Sequence, residues 1–165
     1  MSPDSHGTEP TSYNLLFVCT GNTCRSPMAA AAARAELAQR GWTHVQVRSA
    51  GVAAAVNSPP SEHAASVIAE AGGDLSGHRS TPLTPELVEW ADLIFGMSPA
   101  HLQALADLGA ADKSALLTEF LTGDDHGVPV EDPFGGGREV YEQVFETLRH
   151  AVSAVLDRLA PILSP

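Results

Sequence analysis

The chain has 165 residues, of which 20 are acidic and 9 are lysine or arginine, with a formal net charge of −11 and a hydrophobic content of 44%. This length is enough for one domain with a real core, whereas the negative charge argues against nucleic acid and anionic membrane surfaces as partners. No apolar run approaches the length that a bilayer requires, and two cysteines cannot build a secreted-type disulfide framework, so we expect a cytoplasmic protein.

The predicted elements begin after a polar lead-in. Residues 1–12 lack the basic and apolar pattern of a signal peptide, so we predict that they are disordered and precede a single domain over residues 13–162. Residues 14–18 form an apolar strand, and residues 27–40 form a helix that ends at Gly41. The next predicted elements are a strand over residues 43–49, a loop over 52–60, helices over 61–71, 84–90 and 98–109, and strands over 91–97 and 113–119.

Two of these helices carry start signals, and the chain closes with a long loop and a long helix. Thr84 and Ser98 are the expected N-cap residues, each followed by proline. Residues 120–137 are predicted as a loop, and loops of this length in compact domains are often functional. Residues 138–159 form a helix, whose apolar face comprises Val140, Val144, Leu148, Val152, Val155, Leu156 and Leu159. The alternation of strands and helices predicts an α/β fold with a parallel sheet and helices on both faces.

The most informative segment is residues 18–27, which read Val-Cys-Thr-Gly-Asn-Thr-Cys-Arg-Ser-Pro between a strand and a helix. A loop at a helix N-terminus can direct its backbone N–H groups at an anion, and the helix dipole favours a thiolate there. Arg25 offers a planar fork for two phosphate oxygens, and Ser26 can donate a hydrogen bond to the thiolate. A thiolate at Cys19 beneath a phosphate site predicts nucleophilic attack on phosphorus. The predicted phosphate-binding residues are Thr20, Gly21, Asn22, Thr23, Cys24 and Arg25.

The alternative is that Cys19 is an inert buried cysteine at a strand end. A bare Cys-x5-Arg spacing would favour that alternative, but the complete motif between a strand and a helix favours the nucleophile. A zinc site usually needs four ligands, and no other pair of histidines or cysteines completes one with Cys19 and Cys24. We therefore expect neither a metal nor another cofactor.

A general acid is needed to protonate the leaving group, and the loop over residues 120–137 offers candidates. We choose Asp132, because Pro133 stiffens the chain after it and glycines follow. An acidic surface turn is the alternative, since Asp-Pro and Gly-Gly are turn signals. The other carboxylates in this loop are Asp124, Asp125 and Glu131.

Taken together, these segments resemble the low-molecular-weight protein tyrosine phosphatases. The resemblance covers nearly all of the chain from residue 14 to the last helix. The matching segments are the Cys19 loop, Ser49-Ala50-Gly51, Asp74-Leu75-Ser76-x-His78-Arg79-Ser80, Ala91-Asp92-Leu93-Ile94 and Asp132-Pro133-Phe134-Gly135-Gly136. The resemblance implies a four-stranded parallel sheet in three layers and catalysis without a metal.

The same resemblance implies a role for each matching residue. Cys19 would be the nucleophile, Arg25 would bind phosphate, and Asp132 would act first as general acid and then as general base. The implied partner is a phosphorylated protein, and the implied product is inorganic phosphate. The implied supporting hydrogen-bond network consists of Asn22, Ser26, Ser49 and His78.

Thr23 and Phe134 are the expected specificity residues. Tyrosine-specific members of the family usually carry a bulky aliphatic residue at the position of Thr23. The loop with Thr23 and the Asp-Pro-Phe-Gly-Gly turn are similar to those of bacterial protein arginine phosphatases. The smaller Thr23 side chain would leave space for a planar guanidinium, so the sequence favours phosphoarginine, with phosphotyrosine as the alternative.

Three further hypotheses remain. Arsenate reduction ranks low, because the thioredoxin-coupled version needs two cysteines beyond Cys19 and Cys24. A catalytically silent phosphoprotein-binding module would lack the nucleophile or the acid, and both are present. The spacing of Cys19 and Cys24 also suggests a disulfide that protects the nucleophile from irreversible oxidation.

Overall fold

The structure, a computed structural model, describes residues 12–163, so the predicted lead-in lies outside the described residues apart from Ser12. Strands and α-helices alternate along this part of the chain. The strands are β1 (Tyr13–Cys19), β2 (Val45–Gly51), β3 (Leu93–Gly96) and β4 (Ser114–Leu116). The α-helices are α1 (Arg25–Arg40), α2 (Glu62–Glu70), α3 (Pro85–Trp90), α4 (Pro99–Asp107) and α5 (Arg138–Leu163), and short 3-10 turns cover Ala111–Lys113, Leu117–Phe120 and Gly123–Asp125.

The four strands form one parallel sheet in the order β2-β1-β3-β4, which confirms the predicted fold class. β1 lies inside the sheet, and alternate side chains of a strand point to opposite faces. Leu15 and Phe17 accordingly belong to one apolar cluster, whereas Leu16 and Val18 belong to a second. Because both faces are covered, β1 is a continuous apolar run rather than an alternating one.

Helices cover both faces of this sheet. α1 and α5 contribute to the larger cluster, where the buried alanines Ala29, Ala30 and Ala33 keep α1 close to the strands. α3 and α4 contribute Val88 and Leu105 to the smaller cluster. The predicted apolar face of the last helix is buried except for Val140, which is partly buried and packs against the larger cluster.

Several predicted boundaries were wrong. The last strand, predicted over residues 113–119, ends at Leu116, because Thr118 turns aside to donate its hydroxyl to the Val128 carbonyl at 2.7 Å. The last helix runs on to Leu163 through Pro161, since Leu163 is buried in the core and its packing outweighs the backbone hydrogen bond that proline cannot make. Ser98 stands at its predicted N-cap position but makes no side-chain cap hydrogen bond, unlike Thr84.

The sheet brings the carboxyl ends of its strands to one edge, where α/β proteins usually hold their ligands. In the strand register, Cys19 lies opposite Gly51 and Val18 lies opposite Gly96. The Cys19 loop, residues 20–24, starts at this edge and leads directly into α1, which begins two residues earlier than predicted, at Arg25. Among the helices of residues 12–163, none is both long enough and apolar enough to cross a bilayer.

Candidate active site

The Cys19 loop turns its carbonyl groups outward. Val52 N–H donates to the Cys19 carbonyl and Ala53 N–H to the Thr20 carbonyl, both at 2.9 Å, and Ser61 N–H donates to the Thr23 carbonyl at 3.0 Å. Within residues 12–163, the backbone N–H groups of residues 20–24 donate to no protein acceptor. A loop whose carbonyls are bonded on the outside presents its N–H groups on the inside, which favours an anion.

Asn22 holds the loop in this shape. Its backbone is left-handed, with φ of 57°, a conformation that asparagine tolerates better than most residues. Its buried side-chain amide donates to Ser26 Oγ at 2.8 Å and to Ser49 Oγ at 3.0 Å, and its Oδ1 accepts from Thr81 N–H at 2.8 Å. Three of the four predicted network residues therefore meet at one amide.

His78, the fourth predicted network residue, contacts the backbone of the same turn. Its Nε2 lies 2.8 Å from the Asn22 carbonyl and donates to it, since a carbonyl only accepts. Burial lowers the pKa of His78, the hydrogen bond to Asn22 acts in the opposite direction, and the positive charges of Arg34 and Arg79 add to the lowering. The contact requires a proton on Nε2, and the lowered pKa of His78 favours the neutral imidazole that carries its proton there.

The Cys19 thiol lies at the base of the loop and is only 2% exposed. Ser26 reaches it twice, with Oγ at 2.9 Å from Sγ and with its backbone N–H donating to Sγ at 3.4 Å. Both contacts come from the first turn of α1, where the helix dipole is positive. These contacts hold the sulfur at the base of the loop, and the Ser26 N–H is a donor directed at it.

Arg25 is held between the loop and the segment that precedes Asp132. Its side chain is buried, and Nη1 donates to the Val130 carbonyl at 3.0 Å. Val130 is tied in turn to the sheet edge, because its N–H donates to the Met97 carbonyl at 2.8 Å. The second guanidinium nitrogen, Nη2, lies 3.7 Å from Asp132 Oδ2.

Among the four candidate carboxylates, the structure brings only Asp132 to the cavity of Cys19. Asp132 is half exposed, whereas the following Pro133 is buried and fixes the chain. Asp132 Oδ1 accepts the N–H of Phe134 at 3.1 Å, a local turn contact that orients the carboxylate. Glu131 and Asp125 line a separate cavity, and Asp124 lies on a short 3-10 turn without lining the Cys19 cavity.

These side chains enclose a cavity of ≈ 190 Å³. Thr23 lies on its wall, and Phe134 forms an exposed aromatic rim with 74% of its surface accessible. The full lining is Cys19, Thr20, Gly21, Thr23, Cys24, Arg25, Asp132 and Phe134. Among residues 12–163, no group of three or more histidine, cysteine, aspartate or glutamate side chains is arranged to hold a metal ion.

Cys24 is also buried, and both cysteines are free thiols. Its Sγ lies 3.3 Å from the Tyr141 hydroxyl and donates to Ser61 Oγ at 3.5 Å. Burial raises the pKa of Tyr141, and the hydrogen bond with Cys24 raises it further, so the phenol stays protonated. Cys24 thus ties the loop to α5 through Tyr141.

Sequence reasoning missed Val130 and His101. His101 is 1% exposed at the start of α4, and its Nε2 lies 2.9 Å from Thr20 Oγ1. Burial and the charge of Arg25 lower the pKa of His101 to about 4, against the opposing charge of Asp132. His101 could have been found from the sequence, because it lies in the first turn of a helix that follows the carboxyl end of a strand. Val130 could not, because it acts through its backbone.

Gly51→Ala is expected to damage the site, because the end of β2 passes directly beneath the loop. A Cβ at Gly51 would lie 2.5 Å from the Thr20 carbonyl and 3.0 Å from the Asn22 nitrogen, both backbone atoms that cannot move aside cheaply. We expect a loss of about 1–3 kcal/mol in the free energy of unfolding and weaker phosphate binding. Urea denaturation and calorimetry measure the two effects. Gly77→Ala is the matched control, since a Cβ there meets nothing within 4 Å; equal losses in both variants would contradict the explanation.

Known proteins are similar in sequence to most of this chain. The sequence model of the low molecular weight phosphotyrosine protein phosphatase family matches residues 14–161. The protein-arginine-phosphatase of Bacillus subtilis is 42% identical over 148 residues, which cover 88% of this chain and 96% of that protein. A probable low molecular weight protein-tyrosine-phosphatase of Ralstonia nicotianae, EpsP, is 34% identical over 145 residues, which cover 88% and 94%.

A solved structure of a YwlE arginine phosphatase mutant with a phosphorylated active-site serine superposes with a TM-score of 0.83 at 40% identity, over 90% of this chain and 97% of that one. The region matched by the family's sequence model, residues 14–161, begins near the start of β1 and ends within α5. The chain belongs to the low molecular weight phosphotyrosine protein phosphatase family.

Proposed function

We propose that this protein is a cysteine-dependent protein phosphatase in which Cys19 is the nucleophile, Arg25 binds the phosphoryl group and Asp132 is the general acid and base. The observation that carries the proposal is the convergence of these three side chains on one cavity, beside a loop whose carbonyl groups are bonded to neighbouring segments. None of the other carboxylates in the 120–137 loop lines that cavity, which supports Asp132 as the acid.

The reaction proceeds in two steps. The Cys19 thiolate attacks phosphorus, a sulfur–phosphorus bond forms, and the bond to the leaving group breaks as Asp132 gives that group its proton. Asp132, now a carboxylate, takes a proton from water, and the water oxygen attacks the phosphocysteine. Inorganic phosphate leaves, and the thiolate is restored with Asp132 again protonated. Arg25 and the loop N–H groups stabilise the charge on the phosphoryl oxygens in both steps.

Phosphoarginine is the substrate residue that we favour. The support is the small Thr23 on the cavity wall, which leaves room for a planar guanidinium, together with the greater identity to a protein named as an arginine phosphatase than to one named as a tyrosine phosphatase. Phosphotyrosine is the second candidate, because the exposed ring of Phe134 at the rim offers a face on which a phenyl ring can stack.

Matched peptides with either phosphoarginine or phosphotyrosine at one position separate the two candidates. The measurement is phosphate release, with Cys19→Ser as the blank. We expect a larger kcat/KM for the phosphoarginine peptide. A larger value for the phosphotyrosine peptide would assign the second candidate, and no release from either peptide would support a binding module in place of an enzyme.

Thr23→Ile is expected to shift preference toward phosphotyrosine. The added bulk occupies space that a guanidinium needs, while it offers apolar contact to a phenyl ring. We expect the ratio of the kcat/KM values for the two peptides to fall by about tenfold or more, since one methylene-scale change in a pocket is worth about 1–3 kcal/mol. Thr23→Val controls for the lost hydroxyl group, because valine has nearly the same size and shape as threonine. An unchanged ratio in Thr23→Ile would show that Thr23 does not set specificity.

Other parts of the sequence prediction stay proposals. They are the cytoplasmic location, the lack of nucleic-acid partners and the single-domain organisation over residues 13–162.

The protective disulfide between Cys19 and Cys24 also stays a prediction. Peroxide treatment of Cys24→Ser tests it, because unchanged recovery by reductant would remove the protective role.

A further inference from the structure

His101 makes two hydrogen bonds that together determine which of its nitrogens carries the proton. The Met97 backbone N–H donates to Nδ1 at 3.1 Å, and a backbone N–H can only donate. Nδ1 is therefore the unprotonated nitrogen of a neutral imidazole, and the proton is on Nε2. Nε2 lies 2.9 Å from Thr20 Oγ1, so the imidazole donates and the hydroxyl oxygen accepts.

The environment keeps His101 in that form. The side chain is 1% exposed, and burial with the charge of Arg25 lowers the pKa of His101 to about 4, so the imidazole is neutral at neutral pH. Gly96 leaves the room it needs, because a Cβ there would lie 3.0 Å from His101 Cβ. An imidazolium would turn Nδ1 into a donor facing the Met97 N–H donor.

This contact has a consequence for Thr20, which is exposed and lines the cavity with Cys19 and Arg25. A hydroxyl group has one proton and two lone pairs. Because His101 donates to one lone pair of the Thr20 hydroxyl oxygen, the hydroxyl proton remains available to another acceptor. The hydrogen bond to His101 also limits the rotation of the hydroxyl. An exposed threonine without such a partner would exchange its hydrogen bond among water molecules.

We propose that His101 is a positioning residue that makes Thr20 a hydrogen-bond donor to the phosphoryl oxygens held in the Cys19 loop. Thr20 then adds a side-chain donor to the N–H groups of the loop and to Arg25. The inference rests on the proposed function only in that the cavity must bind phosphate.

The test measures inorganic phosphate as a competitive inhibitor of aryl phosphate hydrolysis. Thr20→Val removes the donor, and we expect the inhibition constant to rise about tenfold or more, the effect of losing one hydrogen bond to a charged group. Thr20→Ser keeps the hydroxyl and is expected to stay close to the wild-type protein. His101→Gln is expected to weaken phosphate binding by a smaller factor, and the double variant Thr20→Val/His101→Gln to bind no worse than Thr20→Val.

Non-additivity is the result that a purely structural role of His101 does not give. Two independent losses that multiply in the double variant would overturn the inference, as would unchanged phosphate inhibition in Thr20→Val. His150→Gln, at an exposed position of α5, controls for the loss of an imidazole. No aryl phosphate hydrolysis by the wild-type protein would overturn the proposed function, whereas hydrolysis with unchanged phosphate inhibition in Thr20→Val would overturn this inference alone, so the two failures are distinguishable.

A second measurement needs no variant at position 101. Long-range 1H–15N correlation spectra of the wild-type protein at neutral pH report the tautomer of each histidine. We expect His101 to carry its proton on Nε2. A proton on Nδ1 or an imidazolium would reverse the donor and acceptor roles at Thr20 and overturn the inference, even if His101→Gln failed to fold.

Discussion

Cys19→Ser is expected to abolish turnover while phosphate binding is retained. A serine hydroxyl is not ionised at neutral pH and is a far weaker nucleophile than a thiolate, whereas Arg25 and the loop N–H groups that would hold the anion are unchanged. Serine at this position can still pair with Ser26 Oγ, which lies 2.9 Å from Cys19 Sγ. We expect a loss of about four orders of magnitude or more in kcat, comparable to the removal of a nucleophile in other covalent enzymes.

Aryl phosphate hydrolysis measures the loss, and calorimetric titration with inorganic phosphate measures the binding. Cys24→Ser is the matched control, since Cys24 is the second buried thiol of the same loop and contacts Tyr141 and Ser61 instead of Ser26. It is expected to lose far less activity. A Cys19→Ser protein that keeps its rate would refute the nucleophile, and one that no longer binds phosphate would show that the loop had collapsed.

Asp132→Ala is expected to slow turnover according to the quality of the leaving group. A leaving group that departs easily as an anion needs no proton, whereas a poor one depends on the acid. We expect a loss of about 10²- to 10⁴-fold for poor leaving groups, the usual contribution of general acid catalysis, and a much smaller loss for nitrophenyl phosphate. A series of aryl phosphates of increasing phenol basicity gives the dependence directly.

Glu131→Ala provides the control for Asp132→Ala. Glu131 is the neighbouring carboxylate on the same loop, but it lines a different cavity from Cys19. It is expected to leave the leaving-group dependence unchanged. Asp132 would not be the acid if Asp132→Ala lost the same factor for every leaving group. The same conclusion would follow if Glu131→Ala, like Asp132→Ala, slowed poor leaving groups more than good ones.

Local patterns were sufficient to predict the fold class and the main parts of the site. The strand-loop-helix succession around Cys19 is contiguous in sequence, and its residue types each serve one local purpose: Asn22 for the left-handed turn, and Ser26 for the first turn of the helix. The strand boundaries were less accurate, because the end of β4 depends on a contact between Thr118 and Val128 across the loop. The end of α5 depends on the burial of Leu163, which outweighs the proline signal.

The sequence analysis chose Asp132 over Asp124, Asp125 and Glu131 because a proline and glycines follow it, since residue type does not separate four acidic residues in one loop. The position of its carboxylate at the Cys19 cavity could not be derived in this way. It depends on the hydrogen bonds of Val130 to Arg25 and Met97, which are made by backbone atoms and leave no trace in the identity of the side chain. The same holds for the contact of His101 with Thr20, which joins residues 81 positions apart.

The sequence by itself therefore determined the alternation of strands and helices and the strand-loop-helix segment that carries Cys19 and Arg25, because each depends on residues that are close together in the chain. The tertiary structure alone decided where the Asp132 carboxylate lies relative to Cys19, how closely Gly51 approaches the loop, and which side chain contacts the Thr20 hydroxyl. Those features depend on the strand register, which sets Gly51 beside Cys19 and Gly96 beside Val18, and on backbone groups brought together from distant segments.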